Sequence, residues 1–412
     1  MCGRRFRTVD GEEITVVAPG HLNEDAGPDF FNARIRHGET EWCGNIEIHV
    51  KASDWYRHGH QNDPAYDNII LHVVGVNDMR IERKDKSLIP QTCLSPSKEF
   101  FELYSMMTGS LNTPVCLPHL HSVDTLKRTD WIESLGTERL QDKSTRLKEL
   151  LRSQNGDWYQ TLFILLARAL GFGLNSLPFE LTAKSVPLNY LMRHRDNLFQ
   201  LEAILFGQAG MLYEDRNSPD EYHAKLSREY KFLSMKYGLQ PIRPGLWKYS
   251  RTRPQNFPHR RLALLSSSLG SGLKLQESLI EARGDTDKLR EIFNFEMSEY
   301  WGNHADFGNE AVGSRKMSSG SLNLILINVA APFYYTYGTL TGDHDLAEKG
   351  VDLLYELKAE RNSIIMLWDQ AGVKAASAFQ SQGLLHLRKE YCDKSRCPEC
   401  RFGHALLRQT LQ

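Results

Sequence analysis

The chain has 412 residues, 41% of them hydrophobic and 25% charged, a composition that buries more than one core and excludes a disordered protein. Lys and Arg number 50 against 51 Asp and Glu, a formal charge of -1, so no overall basic field draws the molecule to nucleic acid and any such binding must come from a local patch. No apolar signal core opens the sequence and no run is long and uncharged enough to span a bilayer, which excludes a membrane protein and sets the expectation of a cytoplasmic one whose seven cysteines stay reduced.

From Glu13 to about Ser95 the pattern predicts β-structure. Glu13–Val17, Phe30–Arg36, Gly44–Ala52, Asn68–Val76 and Met79–Arg83 are short alternating or β-branched runs separated by Gly, Pro, Asn and Asp turns. Asn68–Val74 is almost continuously apolar, as a central strand covered on both faces requires. Pro90–Pro118 reads as a connector, and helices follow it. Thr129-Asp130 caps a segment with leucines at helical spacing, Trp158–Leu170 is apolar nearly all round, and Ser218-Pro219-Asp220-Glu221 is a capping box with proline at the first helical position. Further helices are predicted at Asp196–Leu212, Pro258–Leu269, Lys288–Trp301, Ser321–Ala330, His344–Leu357 and Asn362–Gln380. The expected fold is therefore an α/β front domain on a mixed β-sheet, residues 1–120, followed by a mostly α-helical domain, residues 121–412, that ends in a cysteine cluster at 386–404.

Polar residues with metal-binding chemistry are densest between Gly27 and His72. Glu47, His49 and Lys51 alternate with Ile46, Ile48 and Val50, and side chains two apart on a strand share a face. Asp29 has the parity of Phe31 and Ala33, so it joins that face only if the backbone bends near Gly27-Pro28. Asp29 and Glu47 would hold a hard divalent cation, magnesium or manganese, with His49 or Lys51 beside an attacking water. The plain alternative is a solvent-facing side of an antiparallel sheet, which alternates in the same way. His58, His60 and His72 add imidazoles that serve as further metal ligands or, more plainly, as a hydrogen-bonded turn and a core histidine.

Near the C-terminus Cys392, Cys397 and Cys400 lie close together, with His404 and His386 as candidates to complete a zinc tetrahedron. An iron–sulfur cluster would need a fourth cysteine, and none is adjacent. Lys248, Arg251, Arg253, Arg260 and Arg261 interleave with Trp247, Tyr249 and Phe257, the composition of a backbone track for DNA or RNA; the alternative is a loop whose arginines pair with carboxylates. Phe206–Gly210 is read as close helix packing, since it lacks a phosphate loop's lysine. No Ser-His-Asp order, dinucleotide fingerprint or Walker motif is present.

Pro28-Asp29 with Glu47-Ile48-His49 resembles the Pro-Asp…(Asp/Glu)-x-Lys motif of nucleases, with His49 in lysine's place and Lys51 one strand repeat further on. The resemblance implies a restriction-endonuclease-like front domain. Gly20–Phe30, Gly44–Val50, Asp54-Trp55, His58-Gly59-His60, Leu71–Val74, Phe206–Gly210, Arg253–Pro258 and Tyr391–Gly403 together are similar to an uncharacterised bacterial family, catalogued as domain of unknown function 2851. Its members usually carry a helix ahead of the first strand, and by that measure this chain starts short of it. The family brings no assigned activity. The expectation is a metal-dependent nuclease or a degenerate relative, against a non-catalytic nucleic-acid or protein binding module, or a purely structural protein.

Overall fold

The computed structural model describes residues 5–23, 26–94, 97–109, 114–212, 220–250, 252–270 and 274–409. The chain forms two compact units. One is Met1–Met106 with Leu407–Gln412, the other Met107–Leu406. A mixed sheet dominates the first and helices the second, as the change of sequence pattern predicts.

The front sheet has seven strands: β1 (Arg5–Arg7), β2 (Glu13–Ala18), β3 (His21–Leu22), β4 (Phe30–His37), β5 (Thr40–Lys51), β6 (Ile69–Val76) and β7 (Gln91–Cys93). Their order is β1-β2-β4-β5-β6-β7, with β3 pairing β4. Pairing is antiparallel up to β5 and parallel from β5 through β6 to β7. The predicted strand at Met79–Arg83 does not form; Glu82 makes only a bridge to Leu88, and the edge strand is Gln91–Cys93. Gln91 lies in the ladder, and its buried side chain accepts from the Ile81 amide at 3.0 Å, so the Met79–Arg83 segment is tied down as a loop.

A parallel step from β5 to β6 cannot be closed by a hairpin and needs a crossover. Here the crossover is a one-turn helix α1 (Asp54–Arg57) followed by two 3-10 turns, His60–Asn62 and Pro64–Tyr66. Ile14, Val16, Ala33, Ile35, Ile46, Leu71 and Val73 form one core of the unit. Ala52, Trp55, Tyr66, Ile69, Val74, Ile81 and Ile89 form another, and Trp55 and Tyr66 bring the crossover into it. Gly44 marks the closest approach of β5 to the entry of β6: a Cβ there would stand 2.4 Å from Ile70 Cγ2 and 2.6 Å from the Asn68 carbonyl oxygen.

Helix α2 (Lys98–Gly109) contains the division between the units. In the helical unit, α3 (Thr125–Ser153) is capped by Asp124 and not by Thr129-Asp130, and α4 (Trp158–Leu170) has the predicted limits and is capped by Asp157. Asp220 caps Glu221–Tyr237 by accepting from the His223 amide, while Ser218 and Pro219 of the predicted capping box lie outside the described residues. Two predicted helices are each divided in two. Asn362–Gln380 becomes Ser363–Gln370 and Ala378–His386, interrupted by Gly372 at φ 79°, and Lys288–Trp301 becomes Thr286–Ile292 and Glu299–Asn303. π-helical turns occur at Leu326–Ala330 and Leu387–Cys392. Among the described residues no helix is long and apolar enough to cross a membrane.

Candidate metal centre on the front sheet

The register of β4 against β5 decides where Asp29 points. Phe30 pairs with Ile46 and Ala33 with Gly44, so β4 has one more residue than β5 between these pairs. The irregularity includes Asn32 in the left-handed region at φ 57°, which asparagine tolerates better than most side chains. One extra residue reverses side-chain parity. Asp29 thereby comes alongside Glu47: its amide donates to Glu47 Oε2 at 3.1 Å, and its own Oδ2 accepts from the Ile48 amide at 2.8 Å.

The sheet presents its polar side inward here. Glu47 is 5% exposed and His49 8%, whereas Ile48 is 46% exposed and Val50 75%. The solvent-facing alternative is overturned, because the apolar residues of β5 meet water and the acid and imidazole are covered. Glu47 lies beside fully buried His72 of β6, and His49 Nδ1 and His72 Nε2 share a hydrogen bond of 2.8 Å.

The crossover supplies the cover. Gly59, left-handed at φ 79°, separates His58 from His60 in a conformation costly for any residue with a Cβ, and it sends both imidazoles toward His49. His58 Nδ1 is 3.2 Å from His49 Nε2. Glu47 Oε1 is 3.5 Å from His49 Nε2 and 3.4 Å from His60 Nε2. His49, His58 and His60 each offer a nitrogen within 4.8 Å of the other two. Tyr66 stacks on His60 with ring centroids 3.8 Å apart, and Trp55 meets His60 and His72 edge-on. Tyr66 escaped sequence reading; the only signal was an aromatic residue a few positions after a His-rich loop.

Burial, reinforced by His60 and His58, pushes His49 down to about 4; burial and then His49 push His72 to about 4. Burial also lowers His60, with His58 adding to the effect. These imidazoles are neutral at pH 7, each with a lone pair to offer. Glu47 moves the other way, to about 7, first through burial and then through the charge of Asp29. His60 Nε2 and His72 Nδ1 are buried without a hydrogen-bond partner, although His60 Nε2 is only 3.4 Å from Glu47 Oε1. The two atoms are close but misaligned for a hydrogen bond, as donors to a common ion would be.

Other predicted residues lie elsewhere. Lys51 is exposed, its amide donates to Asp54 Oδ2 at 3.1 Å, and its charge bears on Asp78 instead of the histidines. Arg260 and Arg261, expected on a nucleic-acid track, are 2% and 5% exposed. Arg260 donates to the carbonyls of His304 and Ser314, and Arg261 lies over the Phe172 ring, because Pro258 starts a helix that carries both into the interior. Lys248 and Arg253 are exposed, and Arg251 lies outside the described residues. Cys392, Cys397 and Cys400 do converge, and Cys116, which sequence reading passed over, lines the same small cavity. His404 is exposed, and buried His386 faces Glu138 at 3.4 Å and Asp142 at 3.9 Å, so neither faces the thiols.

The helical unit also holds an open cleft of ≈ 860 Å³. Arg139, Lys143 and Arg146 of α3 line it at helical spacing. Lys143 donates to Asn328 Oδ1 at 2.9 Å and to the Ile327 carbonyl at 3.3 Å, both neutral acceptors in the first π-helical turn.

A mixed sheet bearing a histidine–carboxylate pocket, joined to a helical unit, is thus the architecture to be placed among known proteins. A family model described as Protein of unknown function (DUF2851) matches residues 3–363, and the chain belongs to that family. No curated protein and no solved structure matches it.

Proposed function

We propose that the front unit is a metal-dependent hydrolase of nuclease-like, restriction-endonuclease-like type acting on nucleic-acid phosphodiesters. One observation carries the reading: the imidazoles of His49, His58 and His60 converge within 4.8 Å of one another, the buried Glu47 carboxylate lies 3.5 and 3.4 Å from two of them, and His60 Nε2 is left without a hydrogen-bond partner. A tetrahedral ion with ligand bonds of 2.0–2.1 Å holds neighbouring donors about 3.3 Å apart, and three pairs match that edge, His49–His58 at 3.2 Å, His60–Glu47 at 3.4 Å and His49–Glu47 at 3.5 Å, although Glu47 stands outside the group of three mutually close imidazoles. Imidazole nitrogen mixed with carboxylate oxygen favours a first-row transition cation, manganese or zinc, over magnesium.

His49, His58, His60 and Glu47 are the holding residues, and Asp29, fixed by the Ile48 amide, is the second carboxylate at the edge of the pocket. His72 orients His49 through their shared hydrogen bond. The cation would supply Lewis acidity and a water nucleophilic at neutral pH. In the reaction water attacks phosphorus, a P–O ester bond breaks, and the attacking water's proton passes to a carboxylate of the pocket and from there to the leaving oxygen. Asp29, immediately before β4, and Glu47 on the antiparallel neighbour β5 support phosphodiesters as the substrate class, since the Pro-Asp…(Asp/Glu)-x-Lys arrangement pairs its acids in the same way.

The placement of Lys51 favours a second reading, a binding module without chemistry, because this lysine is exposed and does not join the histidines to steady charge on a phosphoryl group. Metal-stripped protein, resupplied in turn with magnesium, manganese and zinc and offered labelled single- and double-stranded DNA and RNA, distinguishes the two. Cleavage that requires added metal and disappears in Glu47→Ala supports the hydrolase. Binding without cleavage in every metal supports the module and ends the catalytic reading.

A further inference from the structure

We propose that Cys116, Cys392, Cys397 and Cys400 of the helical unit ligate a 4Fe–4S cluster. Cys116 immediately precedes the 3-10 helix Leu117–Ser122, Cys392 ends the second π-helical turn, and Cys400 immediately precedes the helix Arg401–Gln409. All four line one cavity of ≈ 20 Å³, whose other walls include Met107, Val115, Trp368, Leu387 and Phe402. None of the four is in a disulfide.

The backbone around the thiols is built for close approach. Ser395 takes a left-handed φ of 54°, and the Arg396 amide donates to the Tyr391 carbonyl at 2.9 Å, which folds Cys392 back toward Cys397. Gly403 admits no side chain, since a Cβ would stand 2.1 Å from the Cys397 carbonyl oxygen. The thiols sense one another across the cavity. Burial pushes the Cys116 thiol up to about 12, with Cys400 and Cys397 adding to the rise, and Cys392 rises through burial with contributions from the other three.

The ligand set and its spread identify the centre. All-sulfur coordination suits zinc or an iron–sulfur cluster. A single zinc with bonds of about 2.3 Å draws its sulfurs to within about 3.8 Å of each other. Among the described residues no three of these sulfurs come within 4.8 Å of one another. In a cubane each thiolate binds its own iron at a separate corner, so the four sulfurs stand farther apart. The mixed cysteine–histidine zinc site expected from the sequence does not fit, because His404 and His386 both face elsewhere. On binding, each thiol would release its proton and form one bond to iron, tying the Cys116 segment to Cys392–Cys400.

The test is metal and sulfide analysis of the whole protein purified without oxygen and reconstituted with iron and sulfide. Four irons and four acid-labile sulfides per chain are expected, with a visible absorption bleached by dithionite. Cys116→Ser should cut bound iron by more than half, while Cys43→Ser and Cys93→Ser, at exposed positions, should leave it unchanged. Stoichiometric zinc without sulfide would overturn the cluster. Metal-free protein with all four thiols open to alkylation would overturn the site itself. Both refuting results come from the wild-type chain, so the test survives a Cys116→Ser variant that fails to fold.

Discussion

The pocket on the front sheet and the thiol cavity of the helical unit solve the same physical problem with opposite materials. In the first, imidazoles and a carboxylate are gathered by strands β5 and β6 and the crossover that joins them, so every donor from Glu47 to His72 lies in one short stretch of chain. In the second, sulfurs are gathered from Cys116 and from Cys392–Cys400, segments that meet only when the helical unit folds. Each collects buried groups that are poorly off alone, but their ionic demands differ. Burial lowers His49 of the front pocket to about 4, so its imidazole is neutral at pH 7, whereas burial raises the Cys116 thiol to about 12. The first is thereby suited to an exchangeable ion, the second to a permanent centre.

The sharpest way to break this contrast is at Glu47. Glu47→Ala removes the buried carboxylate that contacts His49 and His60 and should lower metal-dependent cleavage by at least ~10²-fold while leaving iron and sulfide content untouched, measured on one preparation. Loss of both together would show that the two centres are not separate. His72→Ala sharpens it further. His72 touches His49 but is outside the group of three convergent imidazoles, so its loss should weaken manganese or zinc binding ~10–100-fold by calorimetry without changing the number of ions bound. A change in stoichiometry would make His72 a direct ligand.

Acidity separates the pocket from the thiols as well. Glu47 sits at about 7, so a cation must displace its proton below that pH, and affinity should fall about tenfold per pH unit from 7 downward, a slope that Glu47→Gln abolishes. The stability of the metal-free protein carries two opposing signs. His49 and His72 have folded values near 4, below the ordinary 6.5, so the unfolded chain takes up protons first and stability declines as pH falls from 6.5 toward 4. Glu47 has a raised folded value, so its share is present below 4.5 and lost as pH rises through 7. Saturating metal should remove the Glu47 loss, and pH-dependent melting with and without metal reads both signs.

What the sequence disclosed follows from how locally each feature is encoded. Period-two alternation put Glu47 and His49 on one face, and an apolar run located β6. Alternation alone could not say which face is buried, because that depends on a crossover lying over the polar side. Asp29 was legible as a candidate but not as a neighbour of Glu47, since one extra residue in β4 reverses its parity. Cys116 could not be assigned to the C-terminal cysteines, because nothing in local spacing couples segments that meet only in the tertiary fold. Arg260 and Arg261 misled for a related reason: aromatic and basic residues interleave on a track and in a helix that enters a core, and only burial tells the two apart. The helix predicted over Asn362–Gln380 failed at Gly372, where a left-handed residue ends one helix that the apolar spacing would have continued.

The smallest expected effect tests whether the helical unit bears its own unpaired charge. Lys143 is half-buried on the wall of the cleft, donates only to neutral oxygens, and is pushed down to about 7 by burial and then by Arg139. Its folded value lies below its ordinary 10.5, so the unfolded chain binds the proton more tightly, and stability is lost as pH falls from 10.5 to 7. Lys143→Met keeps the stem and removes the charge; it should raise stability at pH 7 by ~1 kcal/mol after screening by the open cleft, and the gain should vanish near pH 10.5. Chemical denaturation at the two pH values measures it. An equal gain at both would place the effect in side-chain packing, and a loss at pH 7 would mean that the hydrogen bonds to Asn328 and Ile327 outweigh the cost of the buried charge.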